Sequence, residues 1–164
     1  MMIFMSQSGL TASERRHEWD AWYVEHLRIM KTVDGIDSAQ RFKTENPAWS
    51  PSLAMYSIVS PAVFQDPYYQ KIRGMGEWLP LIDKRFYIRN LFEGADQAPE
   101  VRQGSTLLVT DQQAPGLDIP GVSFTWLKSV GLDRSTPFRG IAVLNGPVEF
   151  DLAGRADIAI YTPY

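Results

Sequence analysis

The chain has 164 residues, with 16 basic and 19 acidic side chains and a formal net charge of −3 when both histidines are neutral. That length favours one domain, and folding should bury roughly two-thirds of the extended-chain surface, so a core needs no cross-link or metal to support it. The mildly acidic balance offers no concentrated positive surface for nucleic acid. The absence of Cys excludes disulfides, thiolate nucleophiles and Cys-ligated zinc or iron–sulfur clusters.

A cysteine-free chain is compatible with a cytoplasmic setting. The apolar start Met1–Met5 is too short to span a membrane and has no basic n-region, so it reads as a strand over 2–7 and no membrane partner is expected. Thr11 and Glu14 have capping-box spacing and open a predicted helix over 12–33. Its apolar stripe is Trp19, Trp22, Tyr23, Leu27, Met30 and Val33, close to the 3.6-residue period, and Gly35 can end it in a left-handed conformation. Residues 37–44 and Leu53–Val59 follow as strands. Ser60-Pro61 has the form of a cap with Pro at the first helical position, and Pro67 interrupts or restarts that second helix. Lys84–Phe92 is a further predicted strand, which gives the first 93 residues the order β-α-β-β-α-β of a ferredoxin-like unit.

A polar connection from Gly94 to Gly104 precedes predicted strands over 105–110, 138–144 and 156–161, with 122–131 readable as amphipathic helix or strand. This second stretch, 105–161, reads as a degenerate β-α-β-β half, too short for a second complete unit, within a single domain spanning 1–164. The terminal Tyr161-Thr162-Pro163-Tyr164 either frays at Pro163 or packs over the fold.

The segment Glu18-Trp19-Asp20-Ala21-Trp22-Tyr23-Val24-Glu25-His26-Leu27, followed by Val33-Asp34-Gly35-Ile36 and Arg41-Phe42, resembles the dimeric α+β-barrel superfamily, in particular its EthD-like group. In that group an aromatic first helix carries a Tyr-x-x-His segment. The resemblance implies an α+β fold in which ferredoxin-like sheets close a barrel, commonly across a homodimer, with pockets between helix and sheet. It matches residues 1–93 much better than 105–161, and it carries Tyr23, His26 and Arg41 over to this chain. The superfamily includes cofactor-independent oxygenases, isomerases, lyases and cyclases, haem enzymes, and members without an assigned activity.

His26 is the first candidate for chemistry, because an imidazole can exchange a proton near neutral pH. Tyr23 and Met30 lie on its helix face, and Trp19 and Trp22 can wall a substrate pocket. Asp20 could orient the imidazole or act as a base, Tyr23 or Tyr56 could donate to a developing oxyanion, and Arg41 could clamp an anionic substrate. Each has a structural alternative: a packed histidine, a solvated acid, core aromatics, a surface ion pair. His17 and Asp20 share a face but supply too few ligands for a metal site, and one histidine carries almost no specificity for haem.

Gly74-Met75-Gly76 lacks the length and the Lys/Thr chemistry of a phosphate loop, and no G-x-S-x-G elbow occurs. In Lys84–Arg89, alternation puts Arg85, Tyr87 and Arg89 on one face and Phe86 and Ile88 on the other. The expected function is a cofactor-independent isomerase, cyclase or lyase acting on a small hydrophobic carbonyl compound, in a homodimer. The alternative is a non-catalytic small-ligand-binding or assembly domain.

Overall fold

The computed structural model of the chain describes residues 1–148, 152 and 155–164. Its elements are β1 (Met2–Ser8), α1 (Arg16–Met30), β2 (Ile36–Lys43), β3 (Ser52–Ile58), α2 (Pro67–Ile72), β4 (Ile88–Glu93), β5 (Thr106–Gln112), β6 (Thr125–Leu132), β7 (Phe138–Leu144) and β8 (Ile158–Pro163). Short 3-10 turns occupy Ser13–Arg15, Pro61–Gln65 and Gly76–Leu81. The first half thus runs β-α-β-β-α-β, and β7 has the bounds expected from its sequence.

Local chemistry sets the ends of these elements. Ser60 accepts from the Ala62 N–H ahead of the first turn after β3, and Asp66 accepts from the Tyr68 and Tyr69 N–H groups to start α2 at Pro67. Gly35 takes φ +93 after α1, where an added Cβ would sit 2.8 Å from the Cγ2 atoms of Val59 and Val63. The Thr11–Glu14 capping box does not form. Thr11 Oγ1 instead donates to the Leu81 carbonyl at 3.0 Å, which ties the start of the helical segment to the chain ahead of β4. Residues 84–87 are not strand either, because Asp83 accepts from both the Arg85 N–H and its guanidinium and folds a turn there.

All eight strands close one antiparallel ring in the order β1-β3-β2-β8-β5-β7-β6-β4. The order β4-β1-β3-β2 in the first half is repeated as β8-β5-β7-β6 in the second, and the halves join at β2–β8 and β4–β6. Closure that the resemblance assigns to two chains is therefore made within one. The ambiguous segment 122–131 is strand, and no helix separates β5 from β6 among the described residues, so the expected β-α-β-β lobe is corrected to four strands. Thr125, Trp126 and Val130 suit a pleated surface. A helix in their place would leave the β4 and β7 edges unpaired.

Alternation along the strands sorts the side chains into layers. Ile3, Met5, Leu53, Met55, Phe92, Leu107, Val109, Leu127, Ile141 and Tyr161 fill the barrel, while Phe4, Tyr56, Ile58 and Leu91 face outward against Trp19, Tyr23 and Met30 of α1. Strands such as β3 are buried on both faces, which is why their sequence is almost continuously apolar. The β2–β8 seam has only the pairs Phe42–Pro163 and Lys43–Thr162. Beside it the connection after β4 takes the place of a strand: Gln40 donates to the Val101 carbonyl at 2.6 Å and accepts from its N–H at 3.1 Å. Pro163 stays within β8, and Tyr164 packs its ring over Arg41. No helix among the described residues is long and apolar enough to cross a membrane.

Candidate functional site

Helical spacing in α1 buries Trp19, Tyr23, His26 and Met30 along one stripe. The His26 imidazole stacks on Trp22 at 4.6 Å and 11°, and meets Tyr23 edge-on at 5.6 Å. It is 8% exposed and has no hydrogen-bond partner among the described residues. Burial alone pushes its pKa down to about 4, so at neutral pH it is an uncharged imidazole with a free lone pair.

Facing His26 across a small cavity are Ser6 of β1, Tyr56 of β3, Tyr69 of α2, Tyr87 just ahead of β4 and Arg89 within it, with Arg73 and Met75 closing the remaining side. Tyr23, Met30, Phe4 and Gly74 complete the lining. Burial raises the phenol of Tyr23 to about 12 against the opposing charge of Arg41, and it raises Tyr56 and Tyr69 as well. These three phenols are therefore neutral and able to donate. The cavity measures about 20 Å³, room for one water. In this closed form the imidazole is stacked against Trp22 and the space beside it does not take a macrocycle such as haem.

Of the residues expected from sequence, His26, Tyr23, Tyr56 and Met30 share this cavity and Trp22 supports the imidazole. Asp20, Arg41 and Trp19 form a neighbouring cluster that does not line it. Arg41 donates from Nη1 to Asp20 Oδ1 at 2.8 Å and from Nε to Ser52 Oγ at 2.9 Å. Its guanidinium lies 4.0 Å from the Tyr23 ring, 4.6 Å from Trp19 and 3.9 Å from Tyr164. Asp20 and Arg41 thus engage each other, and Arg41 reaches the cavity only through the Tyr23 ring it rests on.

Ser6, Tyr69, Arg73, Tyr87 and Arg89 are site residues without a separate signal in the helix motif. For Tyr87 and Arg89 the signal was the alternation expected in Lys84–Arg89, which groups them although 84–87 fold as a turn. Among the described residues no three His, Asp or Glu side chains converge as metal ligands. A larger groove of about 750 Å³ lies between residues 43–48 and β8, away from His26, with Val148, Leu152, Ile158 and Ile160 as apolar walls. Among the described residues its charged groups, Lys43, Glu45 and Arg155, are not buried.

No protein-family model matches the sequence, and no curated protein matches it. Among solved structures, the chain superposes on "Crystal structure of Putative Chlorite dismutase TA0507" with a TM-score of 0.56, covering 99% of this chain and 94% of that one at 8% sequence identity. The two share a fold. That likeness places the chain among α+β barrels, and at such identity it extends to the path of the backbone alone.

Proposed function

We propose that the cavity between α1 and the outer face of the barrel is the active site of a cofactor-independent isomerase, cyclase or lyase acting on a small hydrophobic carbonyl compound. The observation that carries this reading is the convergence of an uncharged His26 with neutral tyrosine hydroxyls on one cavity. In it, His26 removes a proton from the carbon next to the carbonyl and returns one after rearrangement. Tyr23 and Tyr56 donate to the oxygen on which negative charge develops, and Arg73 and Arg89 bias the field toward that charge. Asp20 fixes Arg41, and Arg41 fixes the Tyr23 ring.

Substrate enters when the segment after α2 moves. Met75 is 3% exposed and lines the cavity, while Gly74 beside it takes φ +88 with nothing within 4 Å of its missing Cβ. The finer kinship we propose is with the EthD-like group, on the strength of Tyr23 and His26 facing one cavity. The first half is read as a ferredoxin-like unit and the second as a degenerate half that repeats its strand order.

The test is solvent-deuterium exchange into a panel of small cyclic and β-dicarbonyl ketones, followed by proton NMR. Wild-type protein should accelerate α-proton exchange with a rate that is flat from about pH 5 to 8 and falls near pH 4. His26→Gln should lose about 10²–10⁴ of that acceleration with unchanged circular dichroism. Equal exchange by the variant, with the same pH profile, removes His26 as the base.

The small closed volume favours a second reading, a non-catalytic small-ligand or assembly domain with an aromatic socket. In that case His26→Gln preserves ligand affinity, and Trp22→Ala loses it.

A further inference from the structure

A second cavity, of about 340 Å³, opens where β1 and β5 end and β7 and β8 begin, and shares no lining residue with the His26 site. The pleat of β1 separates them: Ser6 points to the helices and Gln7 to the barrel. Of the polar groups here, sequence reasoning named Arg85 alone, in the alternation of Lys84–Arg89.

Arg139 is 1% exposed, a guanidinium held inside the barrel. Its Nε donates to Asp111 Oδ1 at 2.7 Å, its Nη2 to Asp111 Oδ2 at 2.9 Å, and its Nη1 to the Met5 sulfur at 3.4 Å. Tyr161 gives its hydroxyl proton to the Ser50 carbonyl at 2.7 Å, so that hydroxyl can only accept from Gln7 Nε2, at 3.5 Å. This sets the direction of the Gln7 amide, because the opposite orientation would face two oxygens with no proton between them. Gln7 is 2% exposed, and its Oε1 is left without a partner.

The remaining charges at the cavity are paired as well. Arg85 is held by Asp83 at 2.7 Å, and Asp157 by Arg155 at 2.9 Å. What is left unmet is acceptor capacity, at Gln7 Oε1 and at the Asp111 carboxylate, whose side chain keeps 31% of its exposure. An anion would face the Asp111 and Asp157 carboxylates, and a cation would sit beside two arginines with no unpaired carboxylate to meet it.

We propose that this barrel-end cavity is a binding site for an uncharged small molecule that presents N–H or O–H donors to Gln7 and Asp111 and rests a flat apolar body on Trp49 and Phe86. The volume, at the low end of ligand-pocket sizes, suits a single-ring compound. This site is independent of the His26 reading and stands or falls by itself.

The test titrates the full chain, followed by heteronuclear NMR, with benzamide as the neutral donor and with benzoate, benzylamine and toluene as comparators of similar size. Benzamide should saturably shift the Trp49 indole, Arg139 Nε and Gln7 side-chain resonances, and bind at least tenfold more tightly than the other three. Gln7→Met keeps length and removes the acceptor, and should weaken benzamide at least tenfold. Ala48→Trp, at an exposed rim position, should block the cavity without touching the barrel interior. The proposal is overturned if no probe binds, if toluene or either charged probe matches benzamide, or if the shifts cluster around His26. It is equally overturned if Ala48→Trp leaves benzamide binding intact, a result that decides the matter even should Gln7→Met fail to fold.

Discussion

A histidine buried among aromatic rings, with no carboxylate to hold its proton, titrates in the opposite sense to one that gains a partner. For His26 the folded pKa is about 4, below the free value of 6.5. Between those values the unfolded chain binds more protons, so stability rises with pH. The contribution is fully present above pH 6.5 and is lost as pH falls toward 4, on the order of 3 kcal/mol in all. Urea denaturation of wild type and His26→Gln across pH 4–7 should show this slope in the first and its loss in the second, with the carboxylate contributions common to both. Arg41 makes a different residue-scale prediction. Asp20→Asn leaves a nearly buried guanidinium without its counter-ion and should cost about 3 kcal/mol, read as a lowered urea midpoint. Adding Arg41→Met should restore part of it, because the aromatic cage accepts an apolar side chain. The pairing of Tyr23 with His26 was legible because it is an i,i+3 relation within one helix. The pairing of Asp20 with Arg41 was not, since it depends on where α1 crosses β2, and no local pattern encodes that crossing.

The legible elements were those with a clean local signal: the α1 stripe, the short apolar run of β1, and the β-branched and aromatic run of β3. Failure came where a short polar interaction outweighed the pattern. Asp83 turns the chain at 84–87 although Arg85-Phe86-Tyr87 alternates like a strand. Segment 122–131 carried both periods, and only its neighbours β4 and β7 decide between them. The same dependence on neighbours makes the short β2–β8 seam a testable weak point. There the Gln40 side chain satisfies both backbone groups of Val101, which is 2% exposed. Gln40→Leu orphans a buried N–H and a buried C=O together and should destabilise by about 2–4 kcal/mol. Hydrogen exchange provides the sharper reading: the Val101 amide should speed up far more than the amides of the fully laddered β5–β7 pair. Equal acceleration everywhere would mean that the connection is not a local fastening but part of one cooperative unit.

At the scale of the whole molecule, the repeated order β4-β1-β3-β2 and β8-β5-β7-β6 means that each half supplies the edges the other needs. An isolated four-stranded half would expose two edges, which is the physical reason such sheets pair between chains. The homodimer expected from the resemblance rested on that need. Here β2 meets β8 and β4 meets β6 within one chain, so a dimer, where it forms, must use outer faces and adds nothing to barrel closure. Partners as far apart in sequence as Phe42 and Pro163, or Asn90 and Leu132, leave no trace in local periodicity, which hid this closure from a reading along the chain. The consequence is thermodynamic. If folding and ring closure are both intramolecular, the unfolding midpoint is independent of protein concentration; if a second chain completes the barrel, the midpoint rises with concentration by mass action. Thermal unfolding over a hundredfold range of concentration should therefore give superimposable transitions. Sedimentation at the dilute end should find a folded 18.6 kDa species with unchanged circular dichroism. A midpoint that climbs with concentration, or loss of structure on dilution, would transfer closure of the barrel to the dimer.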